Sequence, residues 1–205
     1  MSTEEKIKQL REELHRHNYL YYIEDRPEIS DYEISNLTAD IADLINEISD
    51  EPIWLVGHDW GGVVAWVVAH QYPELLKGLI IANGPHPDIF ARELSENPAQ
   101  QEASSYIDFL NAPGSELILS ANDFAVAADL MFTDVFTEED RAAYLEAWGQ
   151  PDAMRSMINW YRANIEGSAD GSAIVSDVSI SVPTLVLWGM LDEALLPGNI
   201  DGLNC

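Results

Sequence analysis

One stretch, Ile53-Trp-Leu-Val-Gly-His-Asp-Trp-Gly-Gly-Val-Val-Ala-Trp-Val-Val-Ala69, constrains the fold more than any other part of the chain. The apolar run from Ile53 to Val56 follows Pro52 and suits a strand buried in a parallel sheet. From about Trp60 to His70 the pattern predicts a helix, ended before Pro73. Between them stands Gly-x-Asp-x-Gly, centred on Asp59. Gly57 and Gly61 are expected because the residue between them sits in a strained turn, where neighbouring side chains would meet strand and helix. Gly62 is expected to continue the close packing. Such a turn lifts the Asp59 carboxylate above the carboxyl end of the strand, at the positive end of the helix dipole. A carboxylate needs no proton removed before it attacks, and it can displace a leaving group at saturated carbon. The product is an ester, which an activated water then hydrolyses. An isolated Asp at a helix start is often only a cap, but the flanking pattern favours a nucleophile. His58 is expected to point elsewhere, as a buried structural histidine.

Val56-Gly-His-Asp-Trp-Gly-Gly62, with Gln71-Tyr-Pro-Glu74 closing the helix, resembles the epoxide hydrolase and haloalkane dehalogenase branch of the α/β-hydrolases. The resemblance covers residues 35–205. It implies a partial α/β-hydrolase fold, a parallel sheet remnant with a helical cap. Core strands are expected at 53–56, 79–82 and 184–188, with Asn83-Gly-Pro-His-Pro87 as an exit loop. Core segments are expected at 35–87 and 178–205, and the cap at 88–177. Within the cap, helical periodicity runs from Phe124 to Phe132, Glu138 to Trp148 and Met154 to Ile165.

The same resemblance implies residue roles. The peptide N–H of Trp60 contributes to the oxyanion hole. Asn159-Trp-Tyr-Arg162 resembles the cap segment whose tyrosine donates a proton to the epoxide oxygen, which makes Tyr161 the candidate acid. A second cap tyrosine commonly precedes a Pro-Gly; here Phe109 takes that position before Pro113-Gly114, with Tyr106 nearby. Val182-Pro-Thr-Leu-Val-Leu-Trp-Gly-Met-Leu-Asp192 supplies the last strand and the triad acid, Asp192, which would orient a histidine. Triads of this fold run nucleophile, acid, histidine in chain order. His15, His17, His58, His70 and His86 all precede Asp192, and the His-Gly-x-Pro stretch expected upstream of Asp59 is absent. The chain is therefore expected to form an ester at Asp59 and not to release it. In the alternative, a haloalkane or haloacetate dehalogenase, the indole N–H groups of Trp60 and Trp160 would receive the departing halide.

The N-terminal segment has another character. Ser2 with Glu5 forms a capping-box pattern, and Ile7, Leu10, Leu14 and Tyr21 recur at helical spacing until Pro27. The string from Leu10 to Asp31 closely resembles the N-terminal hairpin of bacterial NAD-dependent DNA ligases. Tyr21, Tyr22 and Asp31 fall on that family's nucleotide-contacting positions. The family's next Tyr-Asp pair is Ile34-Ser35 here, and its Lys-x-Asp-Gly motif occurs nowhere. Ligation is excluded, and a helical hairpin over residues 1–34 is expected. A non-catalytic module binding nicotinamide mononucleotide is the alternative of another class.

Charge limits the partners. The chain carries 36 acidic and 10 basic residues, a formal net charge of −26. Phosphate binding needs clustered Lys and Arg, so no nucleic-acid partner is expected. The longest apolar run, Val63 to Ala69, is too short to span a bilayer. One cysteine, Cys205, excludes an intramolecular disulfide, and with no signal-peptide pattern a cytoplasmic location is expected. No cofactor or metal is expected, only a small-molecule substrate, an epoxide or a halide.

Overall fold

The computed structural model describes residues 34–165 and 176–203. Helix α1 (Ile34–Ile48) leads into strand β1 (Ile53–His58), helix α2 (Trp60–Gln71), a turn of 3₁₀ helix and strand β2 (Leu76–Ala82). Six helices follow: α3 (Pro87–Glu96), α4 (Pro98–Ala103), α5 (Tyr106–Asn111), α6 (Ser115–Met131), α7 (Glu138–Trp148) and α8 (Ala153–Asn164). The chain then returns to the sheet as β3 (Thr184–Leu187) and ends in a 3₁₀ turn, Pro197–Ile200.

The three strands form one parallel sheet in the order β1-β2-β3. Helix α2 is apolar all round, and its residues from Gly62 to Ala69 are buried. Such a helix is stable only when covered on both sides. The sheet covers one side and α1 the other, through Ile34, Leu37, Ile41 and Ile45. Alternation along the strands puts Leu55, Ile81 and Val186 on the α2 side, within this core. The other sheet face is open: Trp54 and Val56 of β1 and Leu185 and Leu187 of β3 are each half-exposed or more.

The helical insert has a core of its own, built on Leu119, Ala127, Trp148, Met154 and Ile158. Expected and observed helices agree at Glu138–Trp148 and differ by one residue at each end of α8. Helix α6 begins well before the expected Phe124, at Ser115, and breaks inside, where Ala121 is extended and Asn122, Asp123 and Phe124 have positive φ. Helices α3, α4 and α5 carry too few apolar repeats for periodicity to reveal. Two of them open on a proline at the first helical position, Pro87 and Pro98, where proline starts a helix rather than marking a loop. Strand β1 runs two residues past Val56, and β2 begins three residues before Leu79.

Candidate active site

The turn after β1 is strained as expected. Asp59 has φ 52° and ψ −127°, a conformation an L-residue keeps only where its surroundings enforce it. The glycines divide differently from expectation. A Cβ on Gly57 would stand 2.5 Å from the Gly61 carbonyl oxygen and 2.7 Å from the Gly62 Cα. A Cβ on Gly62 would stand 2.7 Å from the Gly84 Cα, whereas one on Gly61 would meet nothing within 4 Å. Gly57 and Gly62 are thus required by space and Gly61 is not, because it faces away from both strand and loop. His58 is also a correction: it is exposed, since it lies on the sheet face that nothing described covers.

Above Asp59 lies a narrow cleft lined by Asp59, Trp60, Val63, Pro85, Phe90, Tyr106, Ile107 and Leu195. Asp59 is exposed as a residue, yet its carboxyl faces these mostly apolar walls. That burial raises its pKa above the usual carboxylate value. The positive charge on His58 and a hydrogen bond from the Trp60 peptide N–H oppose the rise, and the Asp192 charge adds to it.

Four aromatic residues meet beside this carboxylate. The Trp60 ring stands edge-on to Tyr161, centroids 5.7 Å apart, and to Trp160 at the same separation. Tyr106 meets Tyr161 at 6.2 Å, again edge-on. The Trp60 indole N–H and the Tyr106 hydroxyl both donate to the Tyr161 oxygen. The Tyr161 proton is then left for some other acceptor. Burial raises the pKa of both tyrosines, and at Tyr161 the two donated bonds counter part of the rise. Tyr106 lies one helical turn before Phe109, which packs instead in the core of the insert. The Trp160 indole nitrogen is buried with no hydrogen-bond partner.

Helix α8, which carries Trp160 and Tyr161, is tied down at its C-terminal end. Arg162 pairs with Glu116 at 2.7 Å and donates to the Ser115 hydroxyl at 3.1 Å. Just beyond it the Ile34 N–H donates to Asn164 Oδ1 at 2.8 Å, and Asn111 donates to the Ile165 carbonyl at 2.9 Å.

Asp192 follows β3, and its Oδ1 accepts the N–H groups of Ala194 and Leu195 at 2.9 and 2.8 Å. Its Oδ2 accepts the Asn83 side-chain amide at 2.6 Å. Asn83 was not singled out from the sequence. It sits at positive φ (41°) at the end of β2 and also accepts the Gly189 N–H at 2.8 Å. The Asn-Gly pair at a strand end was the signal available.

The sequence profile of the α/β hydrolase fold matches residues 16–106. A Bacillus subtilis (strain 168) protein, AB hydrolase superfamily protein YfhM, is 39% identical over 181 residues, covering 85% of this chain and 62% of that protein. Human epoxide hydrolase 4 is 36% identical over 171 residues, covering 78% of this chain and 46% of that protein. Among solved structures, a variant of a Bacillus megaterium epoxide hydrolase superposes with TM-score 0.73 at 30% identity, over 85% of this chain and 66% of that one. The chain belongs to the α/β-hydrolases, in their epoxide hydrolase branch.

This α/β-hydrolase chain spans roughly half to three-fifths of the length of those two curated relatives. The profile match begins at residue 16, inside the segment that resembles the ligase hairpin. None of these matches supports the ligase resemblance, and Tyr21, Tyr22 and Asp31 lie outside the described residues. Among the described residues no group of His, Cys, Asp and Glu could hold a metal ion, and no helix is long and apolar enough to cross a membrane.

Proposed function

We propose that this chain opens small epoxides with Asp59 as nucleophile and Tyr161 as acid. The observation that carries the reading is the Asp59 carboxylate at its strained turn, beside a tyrosine whose oxygen already accepts from Trp60 and Tyr106. A carboxylate oxygen of Asp59 attacks an epoxide carbon, forming the ester C–O bond as the ring C–O bond breaks. The bond's electron pair goes to the epoxide oxygen, which takes the Tyr161 proton. Donors already aimed at the tyrosine oxygen stabilise the tyrosinate that forms, and solvent reprotonates it.

Hydrolysis of the ester needs a base to activate water. Asp192, held by Asn83 and the N–H groups of Ala194 and Leu195, stands where it could orient one. Human epoxide hydrolase 4 and the Bacillus megaterium epoxide hydrolase support the choice of epoxide over halide.

The test follows styrene oxide consumption and diol release by the purified chain, with a haloalkane and fluoroacetate in parallel. Styrene oxide is expected to be consumed through an ester on Asp59, without halide release. Consumption with no adduct on Asp59 would overturn the nucleophile, and halide release would restore the dehalogenase alternative.

A further inference from the structure

The face of the sheet turned away from α2 is built like a buried surface. Val56, Ile80 and Leu185 pair in one row across it, and His58, Ala82 and Leu187 in the next. Before them the Trp54 ring lies over Gly78, where any Cβ would meet it. Purely parallel sheets occur almost only with both faces covered. Here Trp54, Val56, Leu185 and Leu187 are at least half exposed among the described residues. With six residues in β1 and three strands side by side, this face is about 20 Å long and about 10 Å wide. A contiguous apolar patch of that kind marks a contact surface.

The chain's own sequence holds a segment of matching size outside the described residues. Ile7, Leu10, Leu14 and Tyr21 recur at helical spacing. As a helix, that stripe measures about 21 Å on a body about 10 Å thick, the length and width of the open face. Charge favours this segment over a second copy of the chain. Residues 2–22 hold four acidic and four basic residues, so the remainder carries the whole net charge of −26. A second copy would bring an equal charge against the first. The neutral segment meets no such repulsion, and as a helix it has Lys6 and Arg11 flanking the apolar stripe. Residues 23–33 join it to α1 and reach about 36 Å when extended. That suffices to pass round the sheet edge, because packed layers lie only about 10 Å apart. A short tether also keeps the local concentration near the millimolar range.

We propose that residues 7–21 dock on the open sheet face of their own chain, laying Ile7, Leu10, Leu14 and Tyr21 over Trp54, Val56, Leu185 and Leu187. The sheet then lies between two helical layers. The docked segment also braces β1, whose last residue, His58, leads directly into the Asp59 turn. None of this depends on the reaction assigned to Asp59.

The experiment replaces Leu14 in the full chain with the photo-cross-linker p-benzoylphenylalanine, irradiates it at micromolar concentration and maps the products by mass spectrometry. The expected result is a cross-link within one chain, to residues 54–58 or 185–187. The same cross-linker in place of Glu12, on the far side of the helix, should give few such products. Leu185→Asp sets an unpaired carboxylate under the docked stripe and should cut the cross-link yield at least about tenfold. If Leu185→Asp fails to fold, as judged by circular dichroism, Val56→Asp takes its place. Cross-links that join two chains would overturn the proposal in favour of a second copy as occupant. Cross-links confined to other parts of the chain, or none at all, would overturn docking on this face. A yield unchanged by the Asp substitution would overturn the apolar contact.

Discussion

A carboxylate that attacks carbon must be ionised, so the environment of Asp59 sets the pH range of the reaction. Burial in the cleft raises its pKa above 3.8, and the His58 charge and the Trp60 N–H only partly oppose this. The rate of ester formation should therefore rise with pH through a midpoint above 3.8 and level off once Asp59 is ionised. A rate–pH curve read by mass spectrometry checks this, and a midpoint at or below 3.8 would contradict it. The same shift has a sign for stability. The folded state holds the Asp59 proton more tightly than the unfolded chain, so stability declines as pH rises from 3.8 through the raised pKa. The effect is small because the residue is partly in water. In the proposed mechanism Tyr161 supplies a proton, not packing alone. Tyr161→Phe should slow ester formation by about 10²–10⁴-fold with little change in Tm, and an unchanged rate would remove Tyr161 from the mechanism.

At the scale of elements, the elbow between β1 and α2 is where sequence and structure agree best, and the reason is physical. A strand entering a helix through one positive-φ residue leaves no room for side chains on the close-packed side, so the pattern is strict. Gly62→Ala should cost about 1–3 kcal/mol by overpacking against Gly84. Gly61→Ala should be tolerated, because open space lies beside it. Denaturant midpoints of the two variants measure the contrast, and equal losses would contradict it. The three strands and the turn that carries Asp59 were legible because each sits in a local pattern. Asn83 was not, because its role arises from a contact between segments 109 residues apart. Short helices such as α4 and α5 lack enough apolar repeats to show a period. His58 was misjudged because its exposure depends on an uncovered sheet face, which no local pattern reveals.

The whole molecule carries a net charge of −26, spread unevenly. Residues 35–205 alone hold 27 acids against five bases, and such a surface repels itself. Salt screens exposed charges, with a Debye length of about 10 Å near 0.1 M, so Tm should rise as sodium chloride increases. A Tm that falls or stays flat in a thermal scan series would mean that pairing already offsets the repulsion. The sheet is covered on one face by α2 and α1 and open on the other, while the helical insert has a separate core. The two units meet over Asp59, where the turn between β1 and α2 supplies the carboxylate and α5 and α8 the hydroxyl groups. Peptide mapping of the chain after incubation with butylene oxide tests that assembly most directly. The account predicts one added epoxide, with its whole mass retained, on Asp59 and nowhere in an Asp59→Asn chain of unchanged circular dichroism. An adduct on another residue, or one that survives Asp59→Asn, would contradict it.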